Sequence, residues 1–413
     1  MGKYIVMDIV FYGNSLNYDQ GSGNYQELKK ITKWDGRQYT LVSRYALRYS
    51  LLETARKASL WSLAEEKNLT ASGSGDKKVI QPAVDFLLSG ELLEYPEFDL
   101  FGYLITDPQN FRTAPVKIDH AVSMTPFNYD ALFNANLGLA NRMRKKFGDM
   151  KPNPFTSEEH ETFYQYSVVI DIENIGETEV YIKKDSEINF KNEKWKIEDI
   201  EDGEKIIFKL KKGKKQDEII QSDNIEKLEL INPNDDLTII KYGLKKNSND
   251  SVEKRIYQLI KTILNLKRGI KGREEDLTPK VMILGIYEDN FYKTYKDKIT
   301  LLDEYVEEEY DEIEESKLEN GGKIVKVRHK TTKSRKPTFE INGVNSAPEL
   351  IDEKRIFECI NHLFRDKTNS QEEASEKEGK ITHDEESIQK ECEEVTVFYD
   401  PSIEVEIKNS KEK

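Results

Sequence analysis

The sequence predicts an α+β protein built on a ferredoxin-like βαββαβ layer with large insertions. Three observations carry that prediction. Residues 4–12 and 163–175 alternate with a period of two, as strands do. Residues 43–58 and 252–266 place their apolar side chains at helical spacing. The apolar run Val281-Met282-Ile283-Leu284-Gly285-Ile286-Tyr287 has the length of a buried strand. The order is therefore strand, helix, excursion, strand, insertion, helix, strand.

Each element has its own reason. In the first strand Ile5, Met7, Ile9 and Phe11 share one face, and Tyr4, Val6, Asp8 and Val10 the other. A polar Gly/Asn/Ser loop, 13–24, follows. Ser43 can cap the first helix, whose stripe is Leu47, Leu51, Ala55 and Ala58. Residues 70–79 form a Gly/Ser-rich break, and 82–105 combine a short amphipathic helix with the segment FGYLI. Residues 106–160 show little periodicity and read as an excursion. Tyr164, Tyr166, Val168, Ile170 and Ile172 mark the second long strand. Short alternating runs in 177–250 predict an insertion of hairpins turning at Gly203 and Gly213. Val252, Ile256, Leu259, Ile260 and Ile263 give the second helix, with Gly269 in a stop position. Residues 267–273 read as a basic loop. An acidic run at 303–319 reads as helix, 323–336 as a basic run, and 366–394 as disordered. Residues 395–399 form a last strand that can return to the body.

Charge divides the chain. The 413 residues carry a net −14, but 303–319 hold ten acidic residues and one lysine, and 372–394 ten acidic residues and three lysines. Without these stretches the remainder is slightly basic, so a polyanionic partner stays open. Residues 1–60 carry nine basic and five acidic residues. No apolar window is long enough for a transmembrane helix. The N-terminus reads as a strand, not a signal peptide. Two cysteines, Cys359 and Cys392, fit a reducing cytoplasm and exclude a disulfide scaffold or a cysteine zinc site. No phosphate-loop, dinucleotide, nucleophile-elbow or His-Glu-x-x-His motif occurs, and the five histidines lack metal spacing. No cofactor is expected.

Four clusters suit a phosphate backbone. Loop 13–24, with Asn14, Ser15 and Asn17, can bring backbone N–H groups to phosphates, or be a plain turn. Arg44 and Arg48 project together one helical turn apart, either as a phosphate clamp or as a solvated face; Lys29, Lys30, Lys33 and Arg37 precede them. Residues 112–127 interleave Arg112, Lys117, His120, Ser123, Met124, Thr125 and Phe127, so they can hold a backbone and wedge a base, or be a core strand. Lys267, Arg268, Lys271 and Arg273 surround two glycines as a phosphate loop, or as cations at a helix C-terminus. Asp19 and Asp35 can hold a divalent ion, or be solvated loop acids.

Taken together, GNSLN, SRYALRYSLL, LFGYLI, RTAPVKIDHAVSMTPF, ALFNANLGLANRM and ETFYQYSVVIDIENIG resemble one family in their order. It is the Cas-seven-type backbone subunit of type I-B CRISPR surveillance (Cascade) complexes, the DevR or Cst-two-type autoregulator group of the RAMP superfamily. The likeness spans roughly 1–175 and 252–290.

The resemblance implies an RRM-like palm from 1–60, 163–176 and 251–290. It implies helical fingers at 61–118 and a thumb at 119–162. Outside it stand the β-hairpin insertion 177–250 and a charged C-terminal region, 291–413, partly disordered at 366–394. It implies a cytoplasmic, non-catalytic protein that binds CRISPR RNA. Copies stack head to tail in a filament with other Cascade subunits and meet target DNA through the guide, with no membrane partner. The implied RNA-binding residues are Asn14, Ser15, Asn17, Lys29, Arg44, Arg48, Arg112, Lys117, His120, Ser123, Met124, Thr125, Arg268, Lys271 and Arg273. The rivals are a metal-dependent ribonuclease using Asp19 or Asp35 and a DNA-binding autoregulator.

Overall fold

The computed structural model describes residues 3–408 except 74, 76–77, 149–152, 184–185, 192, 235–236, 246–250, 303–305, 314–326, 335, 362 and 365–393. The chain opens with β1 (Tyr4–Asn14). A tight hairpin, β2 (Lys30–Thr32) and β3 (Gln38–Val42), leads into α1 (Arg44–Lys57). Ser43 caps α1 by accepting the Ala46 N–H at 3.2 Å. Two short strands follow an excursion, β4 (Val116–Ile118) and β5 (Ala121–Ser123). Next comes an outlying arm, β6 (Ala131–Ala135), α2 (Leu137–Phe147) and β7 (Pro154–Glu158). The chain re-enters through β8 (Glu161–Asp171). After a second excursion come α3 (Val252–Leu264), the hairpin β9 (Lys267–Ile270) and β10 (Arg273–Asp276), and β11 (Val281–Tyr287). Helix α4 (Glu353–Asn361) and strand β12 (Val395–Tyr399) complete the body.

The architecture is mixed α/β around one large sheet. Its order is 349–350, β12, β11, β1, β8, β5, β3, β2, with β4 also paired to β8. The β1 register with β8 and β11 is antiparallel, Met7 standing opposite both Val168 and Leu284. Because side chains alternate along a strand, the sheet has two faces to bury. Ile5, Met7, Ile9 and Phe11 pack under Leu47 and Leu51 of α1, Leu259 and Ile263 of α3, and Ile356 of α4. Val10, Phe163, Val281 and Ile283 pack under Phe339, Ile341 and Ile403. Phe339 and Ile341 belong to a small sheet of 299–302, 338–342 and 404–408, and Ile403 directly precedes its last strand. Both faces of the central sheet are therefore covered, and only its ends and rims stay open.

A second core lies beside the first. Phe86, Leu87, Leu92 and Tyr103 pack with Ile188, Trp195, Phe208, Ile240 and Tyr242. The stretches 61–118 and 177–250, read separately from sequence, thus share one hydrophobic interior. A buried ion cluster links the cores. Asp99 accepts from Arg112 Nη2 at 2.7 Å, from the Gly176 N–H at 2.8 Å, and from Arg255 Nη1.

Several expectations are corrected. The 61–118 segment is not chiefly helical; the hairpins 69–72/79–82 and 103–106/109–112 dominate, with helices of five residues or fewer. The arm contains α2, which the sequence reading missed, and no α2 residue is buried. Residues 267–273 are a hairpin, not a loop. Helix α3 ends at Asn265, and the chain turns at Lys271 and Gly272, both at positive φ. The described part of the acidic run is not helical: 306–313 form a strand antiparallel to 327–334, and the rest of the run lies outside the described residues. Cys359 is disulfide-bonded, which departs from the reading that the two cysteines fit a reducing cytoplasm. Cys392 and nearly all of 366–394 lie outside the described residues. Residues 395–399 do return to the body, as β12 against β11.

Candidate nucleic-acid interface

The site is built where α1 meets β4. Two acceptors serve the N-terminus of α1: Ser43 Oγ, and His120 Nδ1, which takes the Arg44 N–H at 2.9 Å. That second bond fixes the β4–β5 turn against the helix. Between them runs a groove of about 420 Å³, lined among others by Arg44, Tyr45, Arg48, Phe101, Lys117 and Asp119. The Arg44 guanidinium lies 5.0 Å from the Tyr45 ring centroid and donates to its hydroxyl. That bond holds the Tyr45 hydroxyl below its usual value. Arg48 sits 5.8 Å from the Phe101 ring. Arg44, Arg48 and Lys117 form no ion pair with the described residues. Tyr45 is 64% exposed and Tyr49 62%.

A second groove of about 420 Å³ adjoins it, lined by Lys33, His120, Met124, Gln165, Lys296 and Asp297 among others. Lys296 bonds Asp119 at 2.6 Å, and Asp119 lines the first groove, so the two share a wall. The combined path is cationic and rimmed by aromatic rings. Such a lining can neutralise phosphates with guanidinium and ammonium groups and offer π faces to bases.

The structure separates the sequence candidates. Arg44, Arg48, Lys117 and His120 are exposed on the grooves, and Met124 lines the second. Lys29 is half-exposed and pairs with Asp19 at 3.4 Å.

Arg112, Arg268 and Ser123 turn their side chains inward, which corrects the expectation for them, whereas Thr125, Lys271 and Arg273 are held by neighbouring groups. The Arg112 side chain is buried on Asp99 and on the carbonyls of Glu177 and Asn174. Arg268 is buried on Leu16 O, Ala46 O and Ser50 Oγ. Ser123 is buried and donates to Thr125 O. Thr125 bonds Thr162 and His160. Lys271 lies over the Tyr18 ring and bonds Gln26. Arg273 holds Asn14 O and Ser15 O, 2.8 and 3.3 Å away.

The 13–24 loop is accordingly a clamped turn. Asn14 N–H donates to Glu275, Ser15 N–H to His160 O, and Asp19 N–H to Glu27 O. Asn17 Nδ2 is buried without a partner. Neither watched aspartate sits in a metal cluster. Asp35 accepts from Arg37 N–H and Nε and from the Tyr39 hydroxyl, which holds its carboxyl at about 2. Among the described residues no group of three or more His, Cys, Asp or Glu side chains is arranged for a metal ion. Sequence reasoning missed Tyr45, Tyr49 and Lys296. The two tyrosines carried a usable signal, since each follows an arginine, at one position and at one helical step.

Fold and groove together define a mixed α/β protein with an aromatic-rimmed cationic cleft beside its central sheet. A family model described as CRISPR-associated negative auto-regulator DevR/Csa2 matches residues 5–310, and the chain belongs to that family. The Cas7/Cst2/DevR protein of Myxococcus xanthus (strain DK1622) is 28% identical over 159 residues, covering 36% of this chain and 50% of that protein. The chain thus matches about half the length of this curated relative.

Three solved chains are also similar. One from a CRISPR RNA-guided surveillance complex has a TM-score of 0.35 and 9% identity, over 71% of this chain and 73% of that one. One from such a complex in a pre-nicking state has a TM-score of 0.36 and 10% identity, over 71% and 81%. One from a type IV-B CRISPR complex has a TM-score of 0.26 and 14% identity, over 41% and 73%. Among the described residues no helix is long and apolar enough to cross a membrane.

Proposed function

We propose that this chain is a CRISPR RNA-binding backbone subunit of a type I-B Cascade complex. It binds the guide through its backbone, stacks head to tail with copies of itself and other subunits, and presents the guide for pairing with target DNA. The observation that carries this reading is the groove, where Arg44, Arg48 and Lys117 stand exposed beside Tyr45 in a chain of this family. The order β11-β1-β8-β4/β5 is that of a βαββαβ layer, which supports an RRM-like palm. The exposed apolar side chains of the arm, Phe133, Leu137 and Phe147, suit it to a thumb reaching a neighbouring copy. Such head-to-tail contacts are heterologous and generate an open helix. Sequence reading is then left to base pairing. The protein works in the cytoplasm without cutting; Asp19 and Asp35 are occupied by Lys29 and by Arg37 with Tyr39.

The test is co-expression with a CRISPR array. The ultraviolet absorbance ratio of nucleic acid to protein and the light-scattering mass are compared between wild type and the Arg44→Ala/Arg48→Ala double variant. RNA-bound oligomers in the first and RNA-free protein in the second are expected. Equal RNA content in both overturns the groove assignment. The family description favours a second reading, a DNA-binding autoregulator. That reading predicts tighter binding to one duplex site than to bulk DNA.

A further inference from the structure

The β2–β3 turn holds a side chain that packing does not explain. Trp34 is 97% exposed, whereas the chain's other two tryptophans, Trp61 and Trp195, are 4% and 5% exposed. An indole left in water forgoes the burial that normally recovers its cost. The turn beneath it is rigid. Lys33 N–H donates to Arg37 O at 3.1 Å, and Gly36 N–H to Lys33 O at 3.0 Å. Gly36 supplies a φ of 76°. Asp35 ties the far side to Arg37 and Tyr39. Lys33 Nζ lies 4.0 Å above the Tyr39 ring. The indole is thus displayed on a stiff stalk.

The surroundings specify what it meets. Trp34 stands between Lys33 and Asp35, and Asp35 is paired with Arg37, so Lys33 supplies the net charge of the turn. Lys33 also lines the second groove, with His120 and Lys296. Asp297 lines it too, so the groove is cationic on balance rather than uniformly. A flat aromatic next to Lys33, which lines a groove that is cationic on balance, fits a polyanion that carries flat rings. An acidic peptide would use the cations and leave the indole idle.

We propose that Trp34 stacks on an unpaired nucleobase of the single strand whose backbone lies in the adjoining groove. The inference rests on the nucleic-acid reading above and adds a base-contacting residue to it. Lys33 holds a neighbouring phosphate, and the hydrogen-bonded turn keeps the loss of freedom on binding small. Stacking is tolerant of base identity, so the contact adds affinity without sequence preference.

The test uses the full chain freed of co-purified nucleic acid, with oligouridylate as probe. Trp34 is the exposed tryptophan, so selective tryptophan emission with an acrylamide quencher reports on it. Oligouridylate should quench the emission and shield it from acrylamide. Trp34→Ala should lower affinity about five- to 150-fold and abolish the fluorescence change. Trp34→Phe should recover most of the affinity without the signal. Arg44→Ala/Arg48→Ala should weaken binding while any complex still formed keeps the shielding. If wild type binds RNA but Trp34 stays fully open to acrylamide, the stacking inference fails and the groove reading stands. If the double variant binds as wild type does but Trp34 is shielded, the groove reading fails and the stacking stands. Shielding that grows with protein concentration alone, without RNA, assigns Trp34 to a protein contact and overturns the inference. No binding of oligouridylate by wild type overturns both.

Discussion

Arg112 and Arg48 carry the same guanidinium in opposite settings. Around Asp99, the side chains of Arg112 and Arg255 are buried and held by carboxylate and carbonyl acceptors, although Arg255 Nε has no partner. Along the groove, Arg44 and Arg48 point to water beside aromatic rings. Acceptors supplied by the protein turn an arginine into a joint between two cores. Acceptors withheld leave it for something else to satisfy. The predictions below probe that contrast.

The largest effect is expected at the joint. Asp99→Ala leaves two guanidinium groups unpaired in the interior and should cost about 3–5 kcal/mol. Urea denaturation followed separately in each core should show the two transitions drifting apart; a loss within experimental scatter would mean that the cluster does not couple them. Next is a crossed comparison. Arg112→Ala should destabilise the protein and leave its RNA affinity intact, while Arg44→Ala/Arg48→Ala should do the reverse. If the groove arginines neutralise two phosphates, the slope of log K against log salt should become shallower by about 1.4. Should Arg112→Ala change that slope instead, the inward assignment is wrong.

A smaller effect concerns pH. Burial holds His160 below its ordinary value of 6.5, with Thr40 Oγ1 2.7 Å from Nδ1. The unfolded chain therefore takes up the proton first as pH falls through 6.5, so stability falls as pH drops and levels off below the folded-state value. His160→Gln should flatten that stretch of a stability–pH profile, and an unchanged profile would show that another group governs it. The smallest effect belongs to the exposed pair Asp19–Lys29. Asp19→Ala should shift stability by no more than about 1 kcal/mol, and no RNA cleavage with magnesium should appear or disappear with it.

The sequence revealed elements more readily than it revealed which way side chains point. Strands β1 and β8 and helices α1 and α3 were legible because their burial follows a fixed period. Arg112 and Arg268 were misassigned because acceptors such as Asn174 O and Leu16 O lie far along the chain, and Ser123 because its hydroxyl is taken by the carbonyl of a local turn. Hairpin β9–β10 hid behind Lys271, which occupies the left-handed region that usually advertises itself with glycine or asparagine. Helix α2 buries no residue, so it has no apolar stripe against this body to read. Trp34 could have been noticed as an aromatic beside Lys33 in a basic stretch, but its full exposure is a property of the folded turn.

Strand β12 sits directly beside β11, although a long stretch of chain separates them. The chain leaves the sheet after Tyr287, lays strands 299–302 and 338–342 over its second face, and returns through 349–350 and, beyond α4, through β12. The same arrangement sets an order of assembly during synthesis. The groove, on the opposite side of β1, can form once α1, β4, β5 and β8 exist. The sheet gains β12 only after the elements before it have been made, and strand 404–408 then completes the layer over its second face.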